Sequence, residues 1–243
     1  MLQSIHPLLT RLERTLDVTE SERSAIRRVG VQPAAVEADE VIVREGDRPS
    51  RCFLVAEGWA ATSKLVGHGG RQILALHLAG DLPDLHSLHL TILDSDICAI
   101  TNCQLAFMPH RDMHRLCHEH PRIADELWRI TLVDASIYRE WMVNVSQRQA
   151  LSRLAHLFCE LLVRSRMAGL AQDGSCPLPI TQADVAEMTG LSLVHVNRTL
   201  QDLRAQNLIS VGHGTLTVHD WDRLVELGDF RPDYLHLSPV HAA

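Results

Sequence analysis

The chain has 243 residues, 46% of them hydrophobic and 22% charged, with a mean hydropathy of -0.02. That composition excludes collagen-like, coiled-coil-only and disordered classes, and it leaves room for one large or two modest domains. The net charge of -7 argues against a nonspecific polyanion binder.

No stretch approaches the roughly 18 apolar residues of a membrane span. The N-terminus, MLQSIHPLLTRLER, has no basic flank ahead of an apolar core and no small-residue cleavage site. A cytoplasmic protein without a membrane partner is therefore expected. Six cysteines occur without a CxxC pair, so they read as small core residues rather than as a zinc or redox motif. No G-x-S-x-G, H-E-x-x-H, Walker or dinucleotide glycine loop is present. The expectation is a protein that is not an enzyme and carries no cofactor.

Residues 1–30 read as amphipathic helix, with Leu8, Leu9, Leu12 and Leu16 at helical spacing and a start signal at Thr19–Glu22. Residues 36–108 change character. Short apolar runs (VIV, CFLV, WAATSKLV, RQILALHL, DICAI, CQLAFM) alternate with Gly and Asp turns, the pattern of a sandwich or small barrel. Pro121 then opens a long helix, where its fixed backbone angle costs nothing. Ile123, Leu127, Ile130, Asp134, Ile137, Trp141 and Asn144 recur at alternating four- and three-residue steps. This stripe can pack on the chain's own sheet or against a second copy. Its polar entries favour a homodimer seam, because a polar seam residue can fix register. Residues 147–164 form another amphipathic helix, residues 165–179 read as a loop, and residues 228–243 as a loose tail.

The informative stretch is 180–218, ITQADVAEMTGLSLVHVNRTLQDLRAQNLISVGHGTLTV. Thr181 with Asp184 is a capping-box-like start, and Thr189-Gly190-Leu191 is a turn. Ser192 caps a second helix whose apolar face is Val196, Leu200 and Leu203. His195, Asn197, Arg198, Gln201 and Asp202 lie on its other face. LISV and TLTV, joined by Gly212-His213-Gly214, form a hairpin. Helix, glycine-containing turn, helix and hairpin make the winged helix-turn-helix pattern. Its second helix can enter the major groove, where Arg bonds guanine and Asn or Gln bonds adenine. Double-stranded DNA is the expected partner, and Thr181, Gln182, Ser192, His195, Asn197, Arg198 and Gln201 are the candidate contacts. Residues 146–211 carry six Arg against five acids, so specific binding should lean on dimerisation.

The order β-roll, long helix, winged helix-turn-helix resembles the CRP/FNR family of bacterial transcription regulators. The resemblance rests on VREGD (43–47), FLVAEG (53–58), GRQILALHLAGD (70–81) and ITQADVAEMTGLSLVHVNRTLQDLRAQNLI (180–209). It implies an α+β chain divided into an antiparallel, jelly-roll-like β-roll sensory domain (1–120), a dimerisation helix (121–146), a winged helix-turn-helix domain (147–227) and a tail. It also implies a cytoplasmic homodimer on a palindromic promoter site, with contacts to RNA polymerase. Members that bind cyclic nucleotide carry an acidic motif after the Gly-Asp turn and an Arg-Ser pair some ten residues later. Here those places hold Gly80-Asp81-Leu82-Pro83-Asp84-Leu85 and Leu93-Asp94, and no Arg occurs between Arg71 and Arg111. Cyclic AMP binding is therefore not expected. An unknown small-molecule effector would meet Asp81, Asp84 and His86. The family's iron–sulfur branch clusters N-terminal cysteines, whereas the first cysteine here is Cys52. His110, His114 and His118 share one helical face, a spacing that can chelate metal, but a solvated face is the expected reading. A protein-interaction module with a degenerate helix-turn-helix, or a metal or small-molecule sensor, stands as the alternative function.

Overall fold

The computed structural model describes residues 6–67 and 69–237. They fall into two compact units. One comprises the chain up to Lys64 together with Leu76–Asp134, the other Leu65–Ala75 together with the chain from Ala135.

In the first unit, α1 (Pro7–Leu12) and α2 (Glu20–Arg27) precede β1 (Gln32–Val36), β2 (Val41–Val43), β3 (Arg51–Glu57) and β4 (Ala60–Leu65). Then follow β5 (Arg71–His77, of which Arg71–Ala75 belongs to the second unit), a 3-10 turn (Leu85–Leu88), β6 (Asp96–Ala99), β7 (Cys103–Pro109), α3 (His110–Glu119) and the start of α4 (Pro121–Gln147). The strands form two antiparallel sheets in the orders β1-β7-β3 and β2-β6-β4-β5. This is the expected β-roll.

The continuous apolar run in β3 has a simple cause. Successive side chains point to opposite faces, and both faces are buried. Phe53 and Val55 enter the roll interior with Val43, Leu93, Ile97, Leu105 and Phe107. Cys52 and Leu54 face the other way, into a cluster with Leu8, Leu12, Ile26, Met108, Met113 and Leu116. The Phe53 and Phe107 rings, paired across β3 and β7, sit 5.4 Å apart.

Thr19 and Glu22 close a reciprocal capping box at the start of α2. Burial works against the Glu22 carboxylate. Hydrogen bonds from Thr19 and the charge of Arg122 outweigh it and hold its pKa below the usual value. Arg122 reaches both Glu22 oxygens at 3.2 Å, which ties the start of α4 to α2.

The long helix corrects one expectation. Ile123, Leu127 and Ile130 belong to the core cluster of their own chain, and Ile137 and Trp141 are likewise buried, while Asp134 is half-buried. The regular stripe is thus taken up within one chain, because the apolar surface beside α4 needs covering and each buried Leu or Ile contributes about 1.5–3 kcal/mol. The side left in solvent carries Trp128, 66% exposed, Leu132, 54%, and Met142, 70%, with Ala135 between them.

The second unit contains α5 (Ala150–Met167), β8 (Ser175–Pro177), α6 (Gln182–Thr189), α7 (Leu193–Ala205), β9 (Ile209–Gly212), β10 (Thr215–Val218) and α8 (Trp221–Gly228). Two further expectations change here. The stretch read as a loop supplies β8, which pairs with β10 in a sheet ordered β8-β10-β9. The tail is docked as far as it is described: Pro232–Leu235 forms a 3-10 turn, and Phe230 and Leu235 are buried. Residues 238–243 lie outside the described residues.

The segment after the Gly80 turn is held from inside. Asp81 Oδ2 accepts the Leu78 N–H at 2.9 Å, and Asp84 Oδ1 accepts the Phe53 N–H at 2.9 Å. Leu82, Leu85 and Leu88 join the helical cluster, whereas Leu93 fills the roll. Of the three candidate effector contacts, only His86 keeps a partly exposed side chain free of such backbone bonds, and burial lowers its pKa.

Asp84 is buried and its Oδ2 has no hydrogen-bond partner among the described residues. Burial pushes its pKa up to about 7, against the two backbone N–H groups that favour the anion. The unfolded chain ionises this group near pH 4 and the fold only near pH 7, so its contribution to stability falls as pH rises through that window. Asp84→Asn removes the titration. In urea unfolding, the variant should gain on wild type by about 1–3 kcal/mol between about pH 4.5 and pH 7.5. Parallel pH profiles would show that Asp84 ionises normally.

Candidate nucleic-acid interface

The local sequence builds the helix-turn-helix in steps. Thr181 and Asp184 form the full capping box of α6: the Asp184 N–H donates to Thr181 Oγ1 at 3.1 Å, and the Thr181 N–H donates to Asp184 Oδ2 at 2.8 Å. The helix ends at Gly190, whose φ of +65° is the left-handed conformation that glycine takes freely. A side chain there would also press on Val145, whose Cγ1 lies 3.3 Å from the position of an added Cβ. Ser192 then caps α7, its hydroxyl accepting the His195 N–H at 3.3 Å.

Two faces of α7 divide cleanly. Val196, Thr199, Leu200 and Leu203 are buried, with α5 and α6 packed against this helix. Val194, His195, Asn197, Arg198 and Gln201 are exposed, and none of these side chains is hydrogen-bonded or ion-paired among the described residues. Positions 194, 197, 198 and 201 follow the i, i+3, i+4, i+7 rule of one helical face. That face presents a guanidinium, two amides and an apolar Val, 80% exposed, which are the groups that read guanine, adenine and the thymine methyl in a major groove. The start of α7 adds backbone N–H groups beyond those the Ser192 cap satisfies, suited to a phosphate oxygen.

The candidate contacts do not all stand alike. Asn197, Arg198 and Gln201 share the free face with Val194, and His195 is exposed at its flank. Ser192 sits at its edge with the hydroxyl engaged as the cap. Thr181 gives its hydroxyl proton to Asp184 at 2.7 Å, so it offers DNA only its oxygen, and Gln182 is half-buried at the start of α6. The wing is fastened to the same helix: Arg204 donates to the Val211 carbonyl at 3.1 Å, so this basic residue positions the hairpin.

Sequence reasoning missed the residues that hold this assembly. Arg153 of α5 donates to the Thr189 carbonyl at 2.6 Å and to the Arg148 carbonyl at 2.8 Å, pinning the α6 turn to the end of α4. Arg71, in the Leu65–Ala75 segment of the same unit, meets Glu187 at 2.6 Å and Asp184 at 3.0 Å, and Gln72 donates to the Met188 carbonyl. An Arg in a loop-to-helix joint looks like any surface Arg in a one-dimensional pattern.

For a metal, no group of three His, Cys, Asp or Glu among the described residues is placed to hold one. His114 lies between His89 and His110, with ring centroids 5.7 and 6.5 Å away. His110 is already committed, with Nε2 2.9 Å from Ser87 Oγ. His118 is exposed at the end of α3 and does not join them. No helix among the described residues is long and apolar enough to cross a membrane.

Comparison with known proteins agrees with this geometry. Residues 33–120 match the family described as cyclic nucleotide-binding domain, and residues 152–227 match the Crp-like helix-turn-helix domain. The chain is 29% identical over 191 residues to the nitrogen fixation regulation protein FixK of Bradyrhizobium diazoefficiens, covering 77% of this chain and 78% of that one. It is 22% identical to the transcriptional activator protein FnrL of Cereibacter sphaeroides, over 92% and 95% of the two chains. Among solved structures, FixK2 from Bradyrhizobium japonicum superposes with a TM-score of 0.74 at 24% identity, covering 82% of this chain and 98% of that one. CooA from Carboxydothermus hydrogenoformans gives 0.66 at 18%, over 93% and 97%. With both domain families matched in order, and the β-roll, long helix and winged helix-turn-helix all present, the chain belongs to the CRP/FNR family of transcription regulators.

Proposed function

We propose that the protein works in the cytoplasm as a homodimer that binds a two-fold symmetric promoter site and regulates transcription there without cyclic nucleotide. The free face of α7 carries this reading. Asn197, Arg198 and Gln201, with His195 at their flank, are exposed and unpaired among the described residues on a helix whose other side is packed. Residues 146–211 carry six Arg against five acids, so one copy gains little from nonspecific attraction, and two copies on paired half-sites supply the affinity. Exposed Trp128, Leu132 and Met142, with half-buried Ala135 between them, support self-association along the 27-residue α4, because apolar side chains repeating along a helix need a partner surface. Contacts to RNA polymerase are part of the same proposal, supported by family membership.

The β-roll acts as a scaffold in this reading. Leu93, which the family resemblance sets at the place of the phosphate-binding Arg of cyclic-nucleotide binders, has its side chain buried in the roll. Leu93 N–H donates to the Asp47 carbonyl at 3.0 Å, and Gly46 N–H to the Leu93 carbonyl at 2.8 Å, so the segment is fixed on the β2–β3 turn. No guanidinium faces this segment from residues 72–110, and a cyclic phosphate would meet Asp94 instead.

A genomic-fragment pull-down at near-physiological salt should enrich a symmetric motif with half-site centres about one helical turn, ~10 base pairs, apart. Arg198→Ala should weaken that binding by about 1–3 kcal/mol and relax one base position in each half-site. Enrichment without symmetry, or none at all, overturns the reading and favours a protein-interaction role.

The two faces of α4 separate by substitution. Leu132→Glu should shift sedimentation to the monomer and cut operator affinity at least about 100-fold with the fold intact. Leu127→Ala should lower stability by about 2–5 kcal/mol and leave the assembly unchanged. Calorimetric titration with cyclic AMP should show no heat and no change in operator affinity.

A further inference from the structure

The polar groups gathered under the C-terminal segment serve none of the contacts described so far. Glu160 lies in the middle of α5 with no solvent exposure, and it receives donors from three directions. Trp141, near the end of α4, places Nε1 3.0 Å from both carboxylate oxygens. Tyr234, in the 3-10 turn of the C-terminal segment, donates its hydroxyl at 2.7 Å. Arg164, one turn further along α5, donates at 3.2 Å. Burial and the Glu160 charge push the Tyr234 phenol far above its ordinary pKa, so it remains a donor.

A second set of contacts runs beside the first. His156 Nδ1 donates to the Gly228 carbonyl at 3.1 Å, and its Nε2 lies 3.2 Å from the Tyr234 hydroxyl. Arg148, in the break between α4 and α5, meets Glu140 at 2.7 Å and donates to the Asp229 carbonyl at 3.4 Å. Gly228 lies so close to α5 that an added Cβ would come within 2.7 Å of the His156 backbone nitrogen.

These contacts have one geometric result. Residues 148–149 are the covalent link between α4 and α5, and the C-terminal segment lies against that joint: the Asp229 carbonyl accepts from Arg148 in the link, Gly228 and Tyr234 meet His156 and Glu160 of α5, and Glu160 in turn accepts from Trp141 of α4. A buried carboxylate is a costly way to add stability, since apolar packing of equal volume often does as well. What it adds is geometry: three donors on three elements must converge on one pair of oxygens.

We infer that the C-terminal segment 228–235 is a clasp that fixes the angle between α4 and α5, with Glu160 as its centre and Tyr234 as its catch. The segment positions α7 without touching DNA, because α7 packs on α5 and Arg153 fastens the α6 turn to the same joint. In a dimer joined along α4, that angle sets the distance between the two recognition helices. The inference rests on the dimeric DNA-binding reading.

The test uses the full chain with Tyr234→Phe, which removes one hydroxyl, and Trp141→Phe, which removes the indole donor from the opposite side. Amide exchange over residues 146–153 should quicken at least about tenfold in both variants, with residues 196–203 unchanged. On the enriched operator and on versions with one base pair added to or removed from the spacer, wild type should discriminate at least about tenfold. Either variant should reduce that discrimination to threefold or less. The double variant should lose no more than the worse single one, since both act through Glu160.

Unchanged exchange at 146–153 overturns the clasp. So does an affinity loss that is equal on all three spacers, which a merely structural role would give. If wild type binds no operator, the DNA reading fails, and the exchange comparison still decides whether the clasp exists.

Discussion

The arrangement depends on the fact that α4 has two apolar stripes and only one can be buried by its own chain. The regular stripe, Ile123 to Trp141, goes inward. Near the start of the helix it closes a core built from α1, α2, α3 and one side of β3 and β7, and near its end Trp141 reaches Glu160. The opposite stripe, Trp128 to Met142, is then left to solvent by geometry, since residues half a turn apart cannot share a face. This division leaves an apolar stripe for the self-association proposed above.

Much of this was legible in the sequence because it rests on local chemistry. The capping boxes at Thr19–Glu22 and Thr181–Asp184, the glycine at 190, the Ser192 cap and the apolar face of α7 each need only a few neighbouring residues, and each forms as the pattern requires. What was not legible depends on residues distant in the chain. Periodicity shows that Ile123 and Leu127 share a face, but not which surface covers it. A tail holding Phe230, Tyr234 and Leu235 among prolines reads as loose until the groove beside α5 exists to receive it. Three-residue β8 carries too little sequence for a pattern and becomes a strand only through β10.

The β-roll shows how a shared fold parts from a shared ligand. Its sheets and turns match those of a cyclic nucleotide-binding domain, yet the segment from Asp81 to Leu93 is occupied with its own chain. Asp84 spends an oxygen on the Phe53 amide, and Leu93 completes the interior packing. A nucleotide would have to displace side chains that already satisfy the core, and residues 72–110 offer no guanidinium to offset that loss.

The placement of Trp128 also gives the protein an optical signature. Trp59 and Trp141 are buried, and Trp221 is flanked by Phe230 and the Arg166 guanidinium, so Trp128 is the indole most open to water. An indole in water emits at longer wavelength than one enclosed by apolar side chains. Any surface that covers the outer stripe of α4 therefore shifts the chain's own emission towards the blue, and the molecule reports the state of its helix by its colour without an added label.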